Sequence, residues 1–138
     1  MSIGAAFARQ SGSGKPKTIL IADDNERVRA VMRRSLEHGT DFKICEAIDG
    51  DDAVAKAKEL APDLVILDVR MPGLNGIEVA GILRYALPKI RIVFMTMYAE
   101  DLSEGVTSVF QVDAVLSKSS GLAQVVENVE SLLVEPVS

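Results

Sequence analysis

Five short, almost wholly apolar runs recur along the chain, separated by longer stretches of mixed polarity. They predict buried β-strands, because a strand covered on both faces carries apolar side chains at consecutive rather than alternate positions. The predicted strands are Thr18–Ala22, Phe42–Ala47, Leu64–Leu67, Ile90–Met95 and Ala114–Leu116.

The stretches that follow these runs place apolar residues three and four positions apart, which predicts amphipathic helices. Asn25 is a suitable cap for the first helix, and Pro62 and Pro88 lie just past the ends of the second and third. In the fourth helix we expect Leu102, Val106, Val109 and Phe110 to face inward. The predicted helices begin after Asn25, at Asp51, near Ile77, at Asp101 and near Leu122.

Strands that alternate with helices indicate an α/β fold in which parallel strands are joined by right-handed helical crossovers. The predicted fold is therefore a doubly wound, five-stranded parallel sheet with five flanking helices. We assign residues 17–134 to this domain. Residues 1–16 end in Gly, Ser and Pro and are expected to be a flexible lead-in or tag, and residues 135–138 a tail.

The composition narrows the choice of function. With 138 residues the chain has the usual size of one domain, and its net charge of −5 is poorly suited to a polyanion. We therefore expect no direct nucleic acid binding by this chain. There is no apolar run near the roughly 20 residues that cross a bilayer and no signal-peptide pattern, so we expect a cytoplasmic protein with no membrane partner.

Chemically capable side chains follow four of the five predicted strands. Asp23 and Asp24 follow the first strand, Asp68 the third and Thr96 the fourth, and Lys118 lies shortly beyond the fifth. In an open α/β sheet, ligands bind outside the carboxyl ends of the strands. We therefore expect these five residues to line one site.

The charges of this group suggest a metal-assisted phosphoryl transfer. Three carboxylates close together repel one another, whereas a divalent cation and the ammonium of Lys118 would balance them. Oxygen ligands of this kind suit Mg²⁺. A carboxylate can attack phosphorus to form an aspartyl phosphate, a reaction that depends mainly on positioning and charge neutralisation. Thr96 can donate its hydroxyl to one phosphoryl oxygen, and Lys118 can neutralise another.

Residues 17–134 resemble the receiver domain of bacterial two-component response regulators, the CheY-like family. The resemblance rests on Ile21–Asn25, on Leu64–Gly76 with its Asp, Met-Pro-Gly and Gly at fixed spacing, on Thr96 and on Lys118. It implies a flavodoxin-like fold with strand order 2-1-3-4-5, and a signalling switch rather than an enzyme acting on external substrates. Self-phosphorylation from a phosphodonor and slow autodephosphorylation would be its own activities.

The resemblance also implies a role for each residue of the site. Asp68 would accept a phosphoryl group from the phosphohistidine of a sensor histidine kinase or phosphotransfer protein. Thr96 would sense the phosphoryl group by moving toward it, and Lys118 would form an ion pair with it. The implied Mg²⁺ ligands are Asp23, Asp24, Asp68 and the backbone carbonyl of Arg70.

Several positions depart from the family pattern. The switch residue three before the lysine is usually aromatic but here is Val115, so a ring flip cannot report activation. Arg70 and Tyr98 occupy positions that tune dephosphorylation, and Met97 replaces a small residue beside the phosphoryl site. Ser119 replaces a proline after the lysine, so we expect a trans peptide bond there.

The output and three other functions stay open at this stage. Phosphorylation would be read by a downstream effector, or by self-association, through the face formed by the fourth helix, the fifth strand and the fifth helix. The first alternative is a degenerate receiver that only docks partner proteins. The second is a phosphohydrolase with an aspartyl nucleophile; Arg70 argues against it, because this residue occupies the position where the hydrolase would have its general acid. The third is a flavodoxin-like flavin or nucleotide binder.

Overall fold

The computed structural model describes residues 15–38, 40–97, 102 and 104–133. Strands and helices alternate through this part of the chain, as the apolar pattern predicts. The strands are β1 (Thr18–Ala22), β2 (Lys43–Ala47), β3 (Leu64–Asp68), β4 (Arg91–Thr96) and β5 (Ala114–Ser117). The helices are α1 (Glu26–Glu37), α2 (Gly50–Leu60), α3 (Gly76–Ala86), α4 (Glu104–Val109) and α5 (Leu122–Leu133), and a 3₁₀ turn covers Lys118–Ser120.

All five strands join one parallel sheet in the order β2-β1-β3-β4-β5. β1 pairs with both β2 and β3, so β2 lies on one side of β1 and the later strands lie on the other. This order confirms the doubly wound, flavodoxin-like fold. It also places the ends of β1 and β3 side by side, where such folds bind ligands.

The core consists of two apolar layers, one on each face of the sheet. Successive side chains of a strand point to opposite faces, so alternate residues of β1 and β3 enter different layers. One layer is covered by α1 and α5, through Met32, Leu36, Val125, Val129 and Leu133. The other is covered by α2 and α3, through Ala53, Ala57, Val79, Ala80 and Leu83.

Polar caps fix where the helices beside the carboxyl edge begin. The backbone N–H of Val28 donates to the side chain of Asn25, so Asn25 caps α1 as its position suggests. Asn75 and Glu78 form a reciprocal capping box at the start of α3. Both caps hold the loops that follow β1 and β3 in defined conformations.

The fourth helix shows the largest difference from the sequence prediction. Leu102 and Phe110 pack against the core as expected, but the inward placement of Val109 is wrong, because its side chain is 71% exposed. Within the described residues α4 has only six residues. Such a short helix buries a narrow stripe, and Val109 lies outside it.

No described helix is both long enough and apolar enough to cross a membrane. The predicted lead-in up to residue 14, the predicted helix start at Asp101, the side chain of Val106, residue 134 and the tail 135–138 lie outside what the structure describes.

Candidate functional site

Three carboxylates meet at the carboxyl edge of β1 and β3. The candidate ligand oxygens of Asp23, Asp24 and Asp68 all lie within 4.8 Å of one another. Asp23 follows the last residue of β1, and Asp68 is the last residue of β3. In both strands, alternate side chains point toward the face of the sheet that α1 and α5 cover, and Asp23 and Asp68 continue that alternation. Their side chains therefore lie on the same side of the sheet and converge.

The three acids differ in their exposure. Asp23 is only 1% exposed and Asp68 is also buried, whereas Asp24 is exposed. A buried carboxylate is tolerated only where charge or hydrogen bonds compensate for its lost hydration. The site therefore has a buried part that needs compensation and an open side that solvent can reach.

Lys118 supplies part of that compensation. Its Nζ lies 2.8 Å from Asp23 Oδ2 and 3.2 Å from Asp68 Oδ2. The lysine begins the 3₁₀ turn after β5, which Ser117 caps by accepting the backbone N–H of Ser119. No peptide bond among the described residues is cis, so the trans bond expected between Lys118 and Ser119 is confirmed.

The protonation behaviour follows from burial and from these charges. Burial, and then the negative charge of Asp23, raise the pKa of Asp68 above its usual value, although Lys118 partly offsets both. Burial by itself would lower the pKa of Lys118, but the hydrogen bonds and charges of Asp23 and Asp68 together outweigh it, so the pKa is raised. The lysine is therefore an ammonium at neutral pH, and burial is the main reason that the pKa of Asp68 stays raised beside it.

The residues present fit a small, hard divalent cation. Asp23 Oδ2 is buried, and among the described residues its one partner is the ammonium of Lys118 at 2.8 Å. The backbone N–H of Arg70 donates to Asp68 Oδ1 at 3.3 Å, which brings the main chain of residue 70 beside the acids. All available ligands are oxygen atoms, as Mg²⁺ prefers. Three ionised acids and one ammonium together carry a net negative charge, which a dication would neutralise.

The loop after β3 is shaped by a close approach of main chain. The N–H of Gly76 donates to the carbonyl of Val69 at 2.9 Å. A Cβ on Gly76 would overlap the carbonyl oxygen of Asp68 and lie 2.9 Å from the Cα of Val69. The start of α3 therefore rests directly on the backbone of Asp68, which explains why glycine stands at this position of the motif.

Gly76→Ala is expected to lower the free energy of unfolding by about 2–3 kcal/mol, because the added methyl group forces α3 away from Asp68. Urea denaturation checks this value. The matched control is Gly81→Ala in the same helix, where the atoms nearest to the new Cβ belong to the side chain of Phe110, the first at 3.1 Å, and not to main chain. That variant should change the stability by less than about 1 kcal/mol, since alanine favours the helix. Equal losses in the two variants would contradict the close-approach argument.

Asp68→Asn is expected to stabilise the metal-free protein by roughly 1 kcal/mol at pH 7, since it removes a buried charge that Asp23 repels. The raised pKa means that the folded state holds this proton after the unfolded chain has lost it. The destabilising contribution is therefore absent below the unfolded pKa of about 3.9 and grows as the pH rises through the folded pKa.

Urea denaturation with a chelator at pH 7 and at acidic pH measures this gain, which should shrink as the pH falls. Asp51→Asn is the control, because Asp51 is an exposed acid of α2. A less stable Asp68→Asn protein at pH 7 would refute the argument.

The remaining predicted residues occupy different surroundings. Thr96 ends β4 and is buried, opposite Ser117 of β5. Met97 is 57% exposed and Val115 is also exposed on the edge strand. Arg70 is exposed at its side chain, and Tyr98 lies outside the described residues. The tuning roles of Arg70, Met97 and Tyr98, and the switch roles of Thr96 and Val115, stay predictions.

Sequence reasoning missed two residues behind the site, one that contacts the backbone of Asp23 and one that contacts the first. Arg29 is buried and donates through Nη1 to the backbone carbonyl of Asp23 at 2.7 Å. Glu46 of β2 accepts from the Nε of Arg29 at 3.0 Å. One signal was available, because Arg29, Met32 and Leu36 are spaced three and four apart and so share the apolar stripe of α1.

Comparison with known proteins gives a consistent picture. The sequence profile of the response regulator receiver domain matches residues 19–130. The chain is 34% identical over 112 residues to the response regulator GacA of Pseudomonas viridiflava, an alignment that covers 79% of this chain and 51% of GacA. The chain thus spans about half the length of this curated relative.

Solved structures agree with the sequence comparison. A response regulator protein TrrA from Thermotoga maritima, in complex with Mg²⁺ and BeF, has a TM-score of 0.77 and 32% identity, covering 85% of this chain and 99% of that one. A DNA-binding response regulator of the LuxR family from Staphylococcus aureus has a TM-score of 0.75 and 28% identity, covering 84% of this chain and 98% of that one.

Proposed function

Because the chain belongs to the family of response regulator receiver domains, we propose that it is a signalling switch in which Asp68 accepts a phosphoryl group beside a bound Mg²⁺. The observation that carries the proposal is the contact set of Asp68. This buried carboxylate lies with two further acids around one point and beside the ammonium of Lys118.

The proposed transfer uses the residues as follows. Asp68 attacks the phosphorus of a phosphohistidine on a kinase or phosphotransfer protein; a carboxylate O–P bond forms, the N–P bond breaks, and the imidazole nitrogen leaves with the bonding electron pair. Lys118, already 3.2 Å from Asp68, neutralises charge on a phosphoryl oxygen. Thr96 donates its hydroxyl to another oxygen.

Three side chains and one main-chain group would hold the metal. Asp23, Asp24 and Asp68 offer carboxylate oxygens at the necessary separation, and the carbonyl of Arg70 is the proposed fourth protein ligand. When bound, Mg²⁺ supplies positive charge that offsets the repulsion between the acids and the incoming phosphoryl group. Asp23 also keeps Lys118 in place through the 2.8 Å ion pair.

The added phosphate would act by shifting a two-state equilibrium. It brings roughly two negative charges and new acceptor oxygens to a site that already holds an ammonium and a hydroxyl. Movement of Thr96 and Lys118 toward it would be felt by β4 and β5, whose ends they form or follow. We propose α4, β5 and α5 as the surface that an effector or a second copy reads.

Partners and location belong to the same proposal. The donor would be a sensor histidine kinase or a phosphotransfer protein, and the domain would act on no external substrate. The related Staphylococcus aureus protein is described as DNA-binding, whereas this acidic chain is proposed to bind no nucleic acid itself. The cytoplasmic location stays a prediction.

The test is incubation of the protein with acetyl phosphate, with Mg²⁺ or with a chelator, followed by intact mass measurement. We expect one phosphoryl group to be added with Mg²⁺ and almost none with the chelator. Absence of label under both conditions would overturn the proposal in favour of a docking-only domain. Rapid multiple turnover of a phosphomonoester would overturn it in favour of a hydrolase.

A further inference from the structure

A buried arginine lies behind the acidic loop and is not one of the residues that face the metal site. Arg29 is 9% exposed and sits on the stripe of α1 that also carries Met32 and Leu36. Its Nη1 donates to the backbone carbonyl of Asp23 across 2.7 Å, in a buried contact. A charged side chain in such a place is costly unless it is fully compensated.

The Asp23 main chain is fixed at both ends by such contacts. Its N–H donates to the carbonyl of Ala47 at 3.2 Å, and its own carbonyl accepts from Arg29. That carbonyl belongs to the planar peptide that joins Asp23 to Asp24. The guanidinium therefore sets the orientation of the peptide from which the Asp24 side chain projects.

Asp24 depends on this backbone more than its neighbours do. Asp23 is held at Oδ1 by the backbone N–H of Asn25 at 2.9 Å and at Oδ2 by Lys118. The Asp68 carboxylate accepts a hydrogen bond from the backbone N–H of Arg70 and forms an ion pair with Lys118. Within the described part of the chain, no donor holds the exposed Asp24 carboxylate. Its aim is consequently determined by the peptide that Arg29 fixes.

Glu46 keeps the guanidinium in position and balances its charge. Its Oε1 accepts from Arg29 Nε at 3.0 Å, and its Oε2 accepts from Arg33 Nε. The hydrogen bond from Arg33, with that from Arg29, holds the pKa of Glu46 below its usual value, so it is ionised at neutral pH. Glu46 pairs with Ile21 across the β1–β2 ladder and is thus anchored in the sheet.

We propose that Arg29 is a positioning residue for the metal site: it orients the Asp23–Asp24 peptide, and Glu46 aims its guanidinium. The inference rests on the proposed function, because it assigns the acids to Mg²⁺. Groups that orient metal ligands from behind commonly change metal affinity 10- to 100-fold when removed. Arg29 acts here through main chain rather than by contact with the ion.

Whether Mg²⁺ binds more strongly or more weakly after Arg29 is replaced distinguishes a positioning role from a general electrostatic effect. Removal of a cation near three acids should strengthen Mg²⁺ binding on electrostatic grounds alone. Loss of the peptide's orientation should weaken it. A weaker affinity in a variant that lacks the arginine charge therefore identifies positioning, and a general electrostatic effect would give the opposite result.

The experiment compares Arg29→Met with Arg33→Met. Both changes remove one arginine that contacts Glu46, but only Arg29 donates to Asp23. Mg²⁺ alone is titrated into each full-length protein by calorimetry, and urea denaturation records stability. We expect Arg29→Met to bind Mg²⁺ about tenfold more weakly, with Arg33→Met within about threefold of the unsubstituted protein. If Arg29→Met does not fold, Arg29→Lys replaces it. Lysine keeps the charge but lacks the planar fork that contacts both Asp23 and Glu46, so a weaker Mg²⁺ affinity would then reflect lost positioning without any change of charge.

The outcomes are distinct. An Arg29 variant within about threefold of the unsubstituted protein, or an equal weakening by Arg33→Met, would overturn the positioning role. An unsubstituted protein that binds Mg²⁺ but takes no label from acetyl phosphate would refute the proposed function and leave the Arg29 comparison valid. An unsubstituted protein that binds no Mg²⁺ would overturn both.

Discussion

Asp68→Asn is expected to carry no phosphoryl group after incubation with acetyl phosphate and Mg²⁺, a loss of at least about 100-fold in labelling rate. The amide lacks the anionic oxygen that attacks phosphorus. Asp23 is almost fully buried and is engaged by Asn25 N–H and by Lys118, so it cannot replace the nucleophile. The measurement is intact mass over time.

The control for this loss is Asp51→Asn, which removes an exposed acid from the first turn of α2 and should label like the unsubstituted protein. Unfolding does not account for the expected loss, because the same substitution at Asp68 is predicted to stabilise the fold. Labelling of Asp68→Asn at a rate within a few-fold of the unsubstituted protein would mean that another side chain is the acceptor.

Lys118→Met is expected to slow phosphoryl transfer by roughly 100-fold at saturating Mg²⁺, the usual cost of losing one donor that stabilises developing negative charge. The structure places Lys118 Nζ within 3.2 Å of Asp68 and 2.8 Å of Asp23. The same ammonium occupies Asp23 Oδ2, an oxygen that Mg²⁺ would use. Its removal should therefore strengthen Mg²⁺ binding while it slows the chemistry.

This opposed pair of effects is measured by calorimetry with Mg²⁺ and by labelling at saturating Mg²⁺. Lys89→Met makes the same change of charge at an exposed residue just before β4, at the opposite edge of the sheet. It should alter neither quantity by more than about twofold, since exposed charges at that distance are screened. A Lys118→Met protein that labels at the normal rate would remove the lysine from the mechanism.

The sheet shows how far local pattern reaches. The five apolar runs predicted all five strands. For β1, β3 and β4 the reason is that a strand buried on both faces has few polar positions, whereas the edge strands β2 and β5 are only partly buried. Helix faces were less certain. Val109 fits the spacing of an inward residue, yet it is exposed. The described part of α4, Glu104–Val109, contacts the core over a narrow stripe, and only the packing of α4 on its neighbours decides which residues fill it.

The acids of the site were predictable for a topological reason. Parallel strands present their carboxyl ends at one edge, so Asp23, Asp24 and Asp68 had to approach one another once the strands were placed. The resemblance supplied the strand order that makes β1 and β3 neighbours. It did not give the two ion pairs of Lys118, which depend on the turn after β5.

The sequence by itself determined an α/β domain with three acids, a hydroxyl and an ammonium at one sheet edge. The reason is that the spacing of apolar residues and the direction of each strand follow from the local sequence. Tertiary structure alone decided that Gly76 lies against the backbone of Asp68 and that Arg29 and Glu46 support the acidic loop. Those contacts join residues of separate elements, and their existence depends on distances that no local pattern specifies.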